Sequence, residues 1–240
     1  MIANPPVFPL DTVLLGDCCN ALAALPGRSI DFCLTDPPYL VNYRDRSGRS
    51  LAGDRIGGWL EPAFAEVYRL LKADTVCDSF YGWTKVDEFV AAWRLAGFRL
   101  AGHLTFPKRY TSSSGLVRYQ HESAFILAKG SPRPPEHLIG DVIDWAYTGN
   151  PLHPTQKPLQ VLTPLIESFC RFGGVVLDPF AGSASTLVAA LLSGRHGVGC
   201  EIEAHMQEVG NSRLARMRSL MLRSLSAISA DGAVDLPQIA

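Results

Sequence analysis

Apolar strand-like runs alternate with amphipathic stretches along this chain, and that alternation constrains the fold more than any other feature. The runs at residues 30–35 and 175–178 each lead into an Asp-Pro dipeptide. Helical spacing of apolar residues appears at 59–72 and again at 185–192. Strands that alternate with helices are typical of a mostly parallel sheet covered by helices. We therefore expect a protein of the α/β class.

The composition fits one folded domain. Hydrophobic residues make up 47% of the 240 residues and charged residues 19%, which suits a protein with a large core. We expect a single domain over residues 1–240, in which the proline-rich segment 131–152 is a linker or a short recognition segment. No apolar run approaches the roughly 18 residues of a membrane span, and the N-terminus lacks the pattern of a signal peptide. The sequence therefore predicts a cytoplasmic protein without a membrane segment.

The cysteine pattern predicts neither a metal site nor disulfides. No Cys-x-x-Cys pair occurs, and most of the thiols lie within apolar runs. Buried, reduced thiols are the expected state. The six cysteines are Cys18, Cys19, Cys33, Cys77, Cys170 and Cys200.

Positive charge is concentrated in three segments, although the net charge of the chain is only −1. Segments 41–50, 103–121 and 211–223 carry net charges of +2, +3 and +4. A surface that separates its charges in this way can bind a polyanion without a basic total. The alternative is that these are ordinary solvated arginines, and this alternative suits the third segment best. The candidate phosphate contacts are Arg44, Arg46, Arg49, Lys108, Arg109 and Arg118.

A turn of small residues, 181–184, follows the strand that ends at Asp178 and precedes a helix. Such a turn lets the backbone pass close to a ligand, and the free N–H groups at the helix start can bind it. Glu201 lies at the end of the next strand, where an acid can accept hydrogen bonds from ribose hydroxyls. Nicotinamide enzymes share this pattern, and a tight turn without a ligand is the other alternative.

Three runs of the chain together resemble the beta group of DNA amino-methyltransferases. They are Asp36–Tyr39, His153–Pro158 and Asp178–Ser183, and the likeness extends from about residue 11 to residue 205. The tetrapeptide precedes the glycine turn, and in this family that order implies a circularly permuted Rossmann-like methyltransferase fold. The fold has three layers and a mostly parallel seven-stranded sheet. Its one antiparallel strand would come from the hairpin over 98–128, and the strands before Asp36 and Asp178 would be neighbours.

The resemblance implies S-adenosylmethionine as the cofactor and no metal. Asp17 would approach the adenine of the cofactor, while Thr155 and Lys157 would lie at its methionine end, with Lys157 paired to the carboxylate. Ala184 departs from the pattern, because many members have a second glycine there. The implied cofactor residues are Asp17, Asp36, Thr155, Lys157, Asp178, Phe180, Ala181, Gly182, Ser183, Ser185, Thr186 and Glu201.

The tetrapeptide Asp36-Pro37-Pro38-Tyr39 is expected to be the catalytic motif. The lone pair of an aromatic amino group is delocalised into the ring, so the group is a poor nucleophile. The Asp36 carboxylate and the Pro37 carbonyl can accept its protons and draw the lone pair back to nitrogen. The prolines fix φ and donate no hydrogen bond. Tyr39 offers a stacking face for a base that has left the double helix.

The leading aspartate favours N6 of adenine over N4 of cytosine in this family, and cytosine N4 stays open as the alternative. Methylation of glutamine or RNA is a further rival, which the permuted order disfavours. From a different class, the chain could be an inactive DNA-binding module. The implied partner is double-stranded DNA, a homodimer is a further implied assembly, and we expect a solitary enzyme of the phage or mobile-element type.

Four other polar or aromatic residues are less clear from sequence. Trp83 is expected in the core, with the base pocket as the alternative. His121 and Glu122 either help to position the base or end a hairpin. Asp78 is a lone acid within an apolar strand, so it either faces solvent near the cofactor or is buried with a partner.

Overall fold

The computed structural model of the protein describes residues 8–43, 52–111, 113–145 and 157–231; of these, the side chains of 113–114 and 225–231 are not described. These residues contain nine strands and six α-helices. The strands are β1 Thr12–Leu15, β2 Phe32–Thr35, β3 Thr75–Phe80, β4 Arg99–Pro107, β5 Ser113–Ser114, β6 Arg118–Tyr119, β7 His121–Lys129, β8 Val175–Asp178 and β9 His196–Glu201. The helices are α1 Cys18–Ala23, α2 Leu60–Leu70, α3 Val86–Ala96, α4 Leu159–Phe169, α5 Ser185–Leu192 and α6 Ala204–Asp231.

Seven of the strands form one sheet in the order β1-β9-β8-β2-β3-β7-β4. Strand β7 runs antiparallel to both of its neighbours, β3 and β4, and the other pairs are parallel. The predicted seven-stranded, mostly parallel sheet is therefore confirmed, including its antiparallel strand from the 98–128 hairpin. Strands β5 and β6 pair separately as a short hairpin.

Helices cover both faces of the sheet, which gives the predicted three layers. On one face Phe64 of α2 and Trp93 of α3 pack in a core that includes Cys33 of β2. On the other face Leu165 of α4 packs in a core with Phe32, the neighbour of Cys33 in the same strand. All four residues of β2 are buried, because a central parallel strand has helices on both sides.

Strands β2 and β8 are parallel neighbours, with Phe32 opposite Val176 and Cys33 opposite Leu177. From β8 the chain continues to β9 on one side, and from β2 it continues to β3 on the other. The carboxyl ends of β2 and β8 therefore flank a topological switch point, where α/β sheets bind ligands. Asp178 ends β8 and Asp36 directly follows β2, so the predicted adjacency of the two strands is confirmed.

The part of segment 131–152 that is described packs against the edge of the sheet. Val142 and Trp145 form isolated bridges with Thr105 and Lys108 at the end of β4. Trp145 is buried in the same core as Phe106. The segment thus brings an indole to the carboxyl end of the sheet.

The prediction of buried thiols is confirmed for five of the six cysteines. All six thiols are free, and Cys19 alone among them is not classed as buried. Burial raises the pKa of Cys170 and of Cys200 to about 12. Among the described residues, no helix is long and apolar enough to cross a membrane.

Candidate active site

A cavity of about 1250 Å³ lies at the carboxyl ends of the central strands. The tetrapeptide Asp36–Tyr39 and the turn 178–183 both line it. The two motifs are about 140 residues apart in sequence and meet because β2 and β8 are neighbours. Every described residue of the predicted cofactor set lines this cavity. Thr155, like Arg44, Arg46 and Arg49, lies outside the described residues.

The turn after β8 is held from two sides. The Asp178 carboxylate accepts a hydrogen bond from the Phe180 N–H at 3.1 Å. Glu201 accepts one from the Gly182 N–H at 2.9 Å and another from the Glu203 N–H at 2.8 Å. Each carboxylate oxygen has two lone pairs, so Glu201 keeps acceptor capacity toward the cavity. This arrangement fits an acid that holds a ribose while it fixes the turn.

Burial raises the pKa of both turn acids. The pKa of Asp178 rises to about 7, because burial outweighs its hydrogen bonds with Thr186 and with the Phe180 N–H. Burial also raises the pKa of Glu201, although backbone N–H groups oppose it.

Ala184 adopts the left-handed conformation that normally favours glycine, with φ of 62° and ψ of 33°. Its side chain is fully buried. The position of a Cβ added to Gly210 of α6 would be 3.2 Å from the Ala184 methyl, so this methyl points toward α6. Ala184 is not among the residues that line the cavity. The departure from the family pattern therefore strains the backbone without filling the ligand space.

Arg213 of α6 contacts the turn after β8, and the sequence did not predict this contact. Its guanidinium donates to the Ser183 hydroxyl at 3.1 Å and to the Ser185 hydroxyl at 3.2 Å. It also donates to the Ser183 carbonyl. The hydroxyls of two predicted cofactor residues, Ser183 and Ser185, thus accept hydrogen bonds from a helix that packs next to the turn. The arginine-rich pattern of this helix had indicated either solvated arginines or a polyanion contact, and no contact with the turn.

Asp36 forms the centre of a largely buried charge cluster, which we define as Asp36, Tyr39, Lys108, Glu122 and Lys157. The Tyr39 hydroxyl is 2.9 Å from Asp36 Oδ1 and 3.0 Å from Glu122 Oε2. Lys157 Nζ donates to Asp36 Oδ2 at 2.5 Å and is 3.1 Å from Glu122 Oε2. Lys108 Nζ donates to Glu122 Oε1. Two carboxylates therefore face two ammonium groups.

Two lysines of this cluster have ion-pair partners that the sequence did not predict. Lys157, expected at the methionine carboxylate, pairs with the catalytic-motif aspartate and with Glu122. Lys108, expected on the surface against phosphate, has a side chain only 7% exposed and is an internal ion-pair partner. Glu122 therefore belongs to the site and does more than end a hairpin. The sequence signal was present, because Glu122 lies at the start of a strand antiparallel to β3, at the edge where the parallel strands end.

The cluster sets the protonation of its members. Burial raises the pKa of Asp36, and the Lys157 ammonium opposes this shift. Burial also disfavours the charge of Glu122, but Lys157 and Lys108 lower its pKa to about 2. Burial lowers the pKa of Lys157, but Asp36 and Glu122 outweigh it and raise that pKa. Lys157 Nζ also lies 4.7 Å from the centre of the Phe80 ring.

Aromatic side chains surround the catalytic motif. A Cβ added to Gly82 would be 2.8 Å from the Tyr39 Cβ, so the glycine allows the loop after β3 to pack directly against the motif. Trp83, expected in the core, is instead 61% exposed and lines the cavity. It stacks on Tyr119 with ring centres 5.4 Å apart. The base-pocket alternative is therefore the one that the geometry favours.

Asp78 contrasts with the cluster. It is fully buried in β3, and neither carboxylate oxygen has a hydrogen-bond partner among the described residues. Burial raises its pKa well above the usual range. The expectation of solvent exposure is therefore wrong, and the expected partner is not found in the part of the chain that the structure describes.

A model of the DNA methylase family matches residues 139–212. The chain is also 53% identical over 206 residues to an Escherichia coli K12 protein named as a methylase, YubD; the alignment covers 86% of this chain and 91% of YubD. The chain belongs to the N6-adenine and N4-cytosine DNA methylase family. The family to which the chain belongs is the one that its cavity-lining motifs resemble.

Two more distant relatives are named for different bases. YhdJ of Escherichia coli K12, named a DNA adenine methyltransferase, is 27% identical over 243 residues, with 85% of this chain and 82% of YhdJ covered. TTHA0409 of Thermus thermophilus, solved in complex with S-adenosyl-L-methionine, has 22% identity and a TM-score of 0.66, with 86% and 95% covered. The cytosine-N4-specific PvuII DNA methyltransferase has 14% identity and a TM-score of 0.68, with 89% and 95% covered. The fold alone therefore does not identify the base.

Proposed function

We propose that this methylase transfers the methyl group of S-adenosylmethionine to the N6 amino group of adenine in double-stranded DNA. The observation that carries the proposal is the shared cavity in which the Asp36 motif and the glycine turn meet. The turn is proposed to bind the methyl donor, and the Asp36 motif to bind the amino group. Their common cavity allows a direct transfer between the two ligands.

The described residues fit S-adenosylmethionine. The turn backbone is exposed to the cavity at Gly182, and Glu201 stands beside it as an acceptor for ribose hydroxyls. Asp17 lines the same cavity, and its carboxylate accepts from the Cys19 N–H at 2.9 Å, which fixes its position. When bound, the cofactor supplies an electrophilic methyl group. The likeness to TTHA0409, which was solved with this cofactor, supports the assignment.

Asp36 is the proposed acceptor for the amino protons, together with the Pro37 carbonyl. Pro37 and Pro38 have a fixed φ and no N–H group, so the backbone that presents the Pro37 carbonyl is rigid. Lys157 is proposed to position Asp36 and to keep it anionic, since its ammonium lies 2.5 Å from Oδ2. An anionic acceptor draws the amino lone pair toward nitrogen and takes the proton that the nitrogen releases after transfer. Proximity and orientation of the two ligands supply the rest of the acceleration.

Adenine is preferred over cytosine because the motif begins with aspartate and because YhdJ, a relative over 85% of this chain, is named an adenine enzyme. Cytosine N4 is the second candidate, since the PvuII enzyme has the same fold and acts there.

Exposed Arg109 and Arg118 are proposed to contact phosphate, and Arg44, Arg46 and Arg49 stay predicted contacts. The short recognition segment 131–152, the homodimer and the cytoplasmic location also stay predictions.

The test is incubation with S-adenosylmethionine and unmethylated DNA, followed by mass spectrometry of the nucleosides. Asp36→Ala serves as the inactive variant, and Asp87→Ala, which removes an exposed acid on α3, is the matched control. We expect N6-methyladenine from the wild type and the control only. N4-methylcytosine would overturn the choice of base. No modified base, with calorimetry showing no cofactor binding, would favour the inactive DNA-binding module.

A further inference from the structure

The β5–β6 hairpin ends in a tip that exposes two apolar side chains. We define the hairpin tip as Leu116 and Val117. The Leu116 side chain is fully exposed and that of Val117 is 60% exposed. The Gly115 N–H donates to the Val117 carbonyl at 3.0 Å, which closes the tip into a tight turn. Exposure of this adjacent apolar pair contributes nothing to the core, so the pair is available for a partner.

The hairpin forms one wall of the catalytic cavity. Val117, Arg118 and Tyr119 line the cavity that also contains Asp36. Tyr119 stacks on Trp83 with an angle of 23° between the rings, and this contact ties the hairpin to the loop after β3. The tip therefore projects at the mouth of the cavity from a wall that is anchored near the reacting groups.

The charge around the tip identifies the class of partner. Arg109 and Arg118 are exposed, and residues 103–121 contain no acid. An apolar tip on a basic element is complementary to a polyanion with an apolar interior. A DNA duplex has that character, because phosphates cover a stack of bases.

A duplex hides the amino group that this cavity must receive, so the target base has to leave the stack. Leaving costs a few kcal/mol of stacking and pairing. Apolar side chains such as leucine can enter a base step and partly replace the lost contacts. We propose that Leu116 and Val117 enter the duplex at the target base pair and hold it open while the base occupies the cavity. This proposal rests on the proposed function, since it assumes a DNA base as the substrate.

The experiment compares two duplexes and three proteins. The first duplex carries a site that the wild type methylates in unmethylated genomic DNA, and the second has an abasic position opposite the target nucleotide. The proteins are the wild type, L116S/V117S and the control Leu95→Ser. Leu95 is 70% exposed on α3 and is not among the residues that line the cavity. Because both substituted regions are exposed, folding is preserved, and thermal unfolding verifies this.

We expect L116S/V117S to lose about tenfold or more in kcat/KM on the paired duplex, which corresponds to about 1.4 kcal/mol. On the abasic duplex, where the target base is already unpaired, its rate should return to within about threefold of the wild type. Equal losses on both duplexes, or no loss on either, would overturn the proposed insertion of Leu116 and Val117 into the duplex, while leaving the methylase function intact. If the wild type methylates no DNA, the proposed function is overturned, and the proposed insertion of the hairpin tip is overturned with it.

Discussion

Asp36 and Asp78 are carboxylates that belong to neighbouring strands, yet their surroundings are opposite. Asp36 follows β2, at the edge where the cavity opens, and contacts Tyr39 and Lys157. Asp78 lies inside β3, between Leu34 of β2 and Ile126 of β7, and has no hydrogen-bond partner among the described residues. Burial raises the pKa of both. A raised pKa therefore does not by itself distinguish a reactive acid from an unpartnered acid in the core.

The difference between the two acids is the set of groups that face them. A buried charge is tolerated where an opposite charge and hydrogen bonds compensate for lost hydration. Lys157 provides this compensation for Asp36, and no described side chain provides it for Asp78. The acid at the strand end can keep its charge and act on a substrate. The acid in the strand interior is best accommodated in its neutral form.

The largest expected effect comes from applying the same substitution to both acids. Asp36→Asn removes the anionic acceptor, and we expect turnover to fall by about 10²–10⁴-fold. Asp78→Asn should leave turnover within about twofold of wild type, because it does not line the cavity and changes no group there. Single-turnover assays with mass spectrometric detection measure both rates. A similar loss in the two variants would break the comparison.

Removal of the cation should destabilise the cluster. Lys157→Met leaves Asp36 and Glu122 facing each other without their shared ammonium, and we expect the free energy of unfolding to fall by about 3–5 kcal/mol. The side chain of Lys157 is only 6% exposed, so solvent screens the loss weakly. Urea denaturation measures the change.

The control for that loss is the double variant K157M/E122Q, which removes one charge of each sign. Its destabilisation should be smaller than the sum of the two single changes by about 0.5–3 kcal/mol. Strict additivity would show that the two residues do not share an ion pair in solution.

The smallest expected effect is a gain in stability at Asp78. Asp78→Val replaces an unpartnered carboxyl with an apolar side chain suited to a strand, and we expect unfolding to cost about 1–3 kcal/mol more. The comparison variant is Leu34→Val on the facing strand, which loses a methylene in the same core and should destabilise. Destabilisation by Asp78→Val would point to a partner for this carboxylate.

The stability of the wild type relative to Asp78→Asn should depend on pH. The folded-state pKa of Asp78 is raised, so the folded protein holds the proton more tightly than the unfolded chain. The contribution of the Asp78 carboxyl to the free energy of unfolding is fully present below its unfolded-state pKa of about 3.9. This contribution is lost as the pH rises through the pKa of Asp78 in the folded protein. The difference between the two proteins isolates Asp78, because Asp178 titrates in both. A difference that does not change with pH would contradict the buried position of this acid.

Much of the site was predictable because parallel strands end at one edge of the sheet. The strand before Asp36 and the strand before Asp178 were recognisable from apolar runs and Asp-Pro turns. Their adjacency followed from the family order, and β2 and β8 pair as expected. The antiparallel strand β7 was also predicted, since a hairpin reverses the chain.

Contacts between distant side chains were not predictable in the same way. Lys108 and Arg109 are consecutive in the sequence, but Lys108 is buried against Glu122 while Arg109 is exposed. Alternation along a strand end places neighbours on opposite sides, and which side faces the cavity depends on register. Arg213 reaches the glycine turn only because α6 packs against α5.

The sequence by itself determined the α/β class, the burial of most thiols and the two acids at the strand ends, because these depend on local periodicity and turn chemistry. The permuted order of the motifs was implied by the resemblance to the family. Only the tertiary structure decided that Lys157 faces Asp36, that the Ala184 methyl points away from the cavity and that Asp78 has no described partner. The physical reason is that the pairing of buried charges depends on separations of a few ångströms between remote segments. Packing of whole elements fixes those separations, and the local sequence does not encode them.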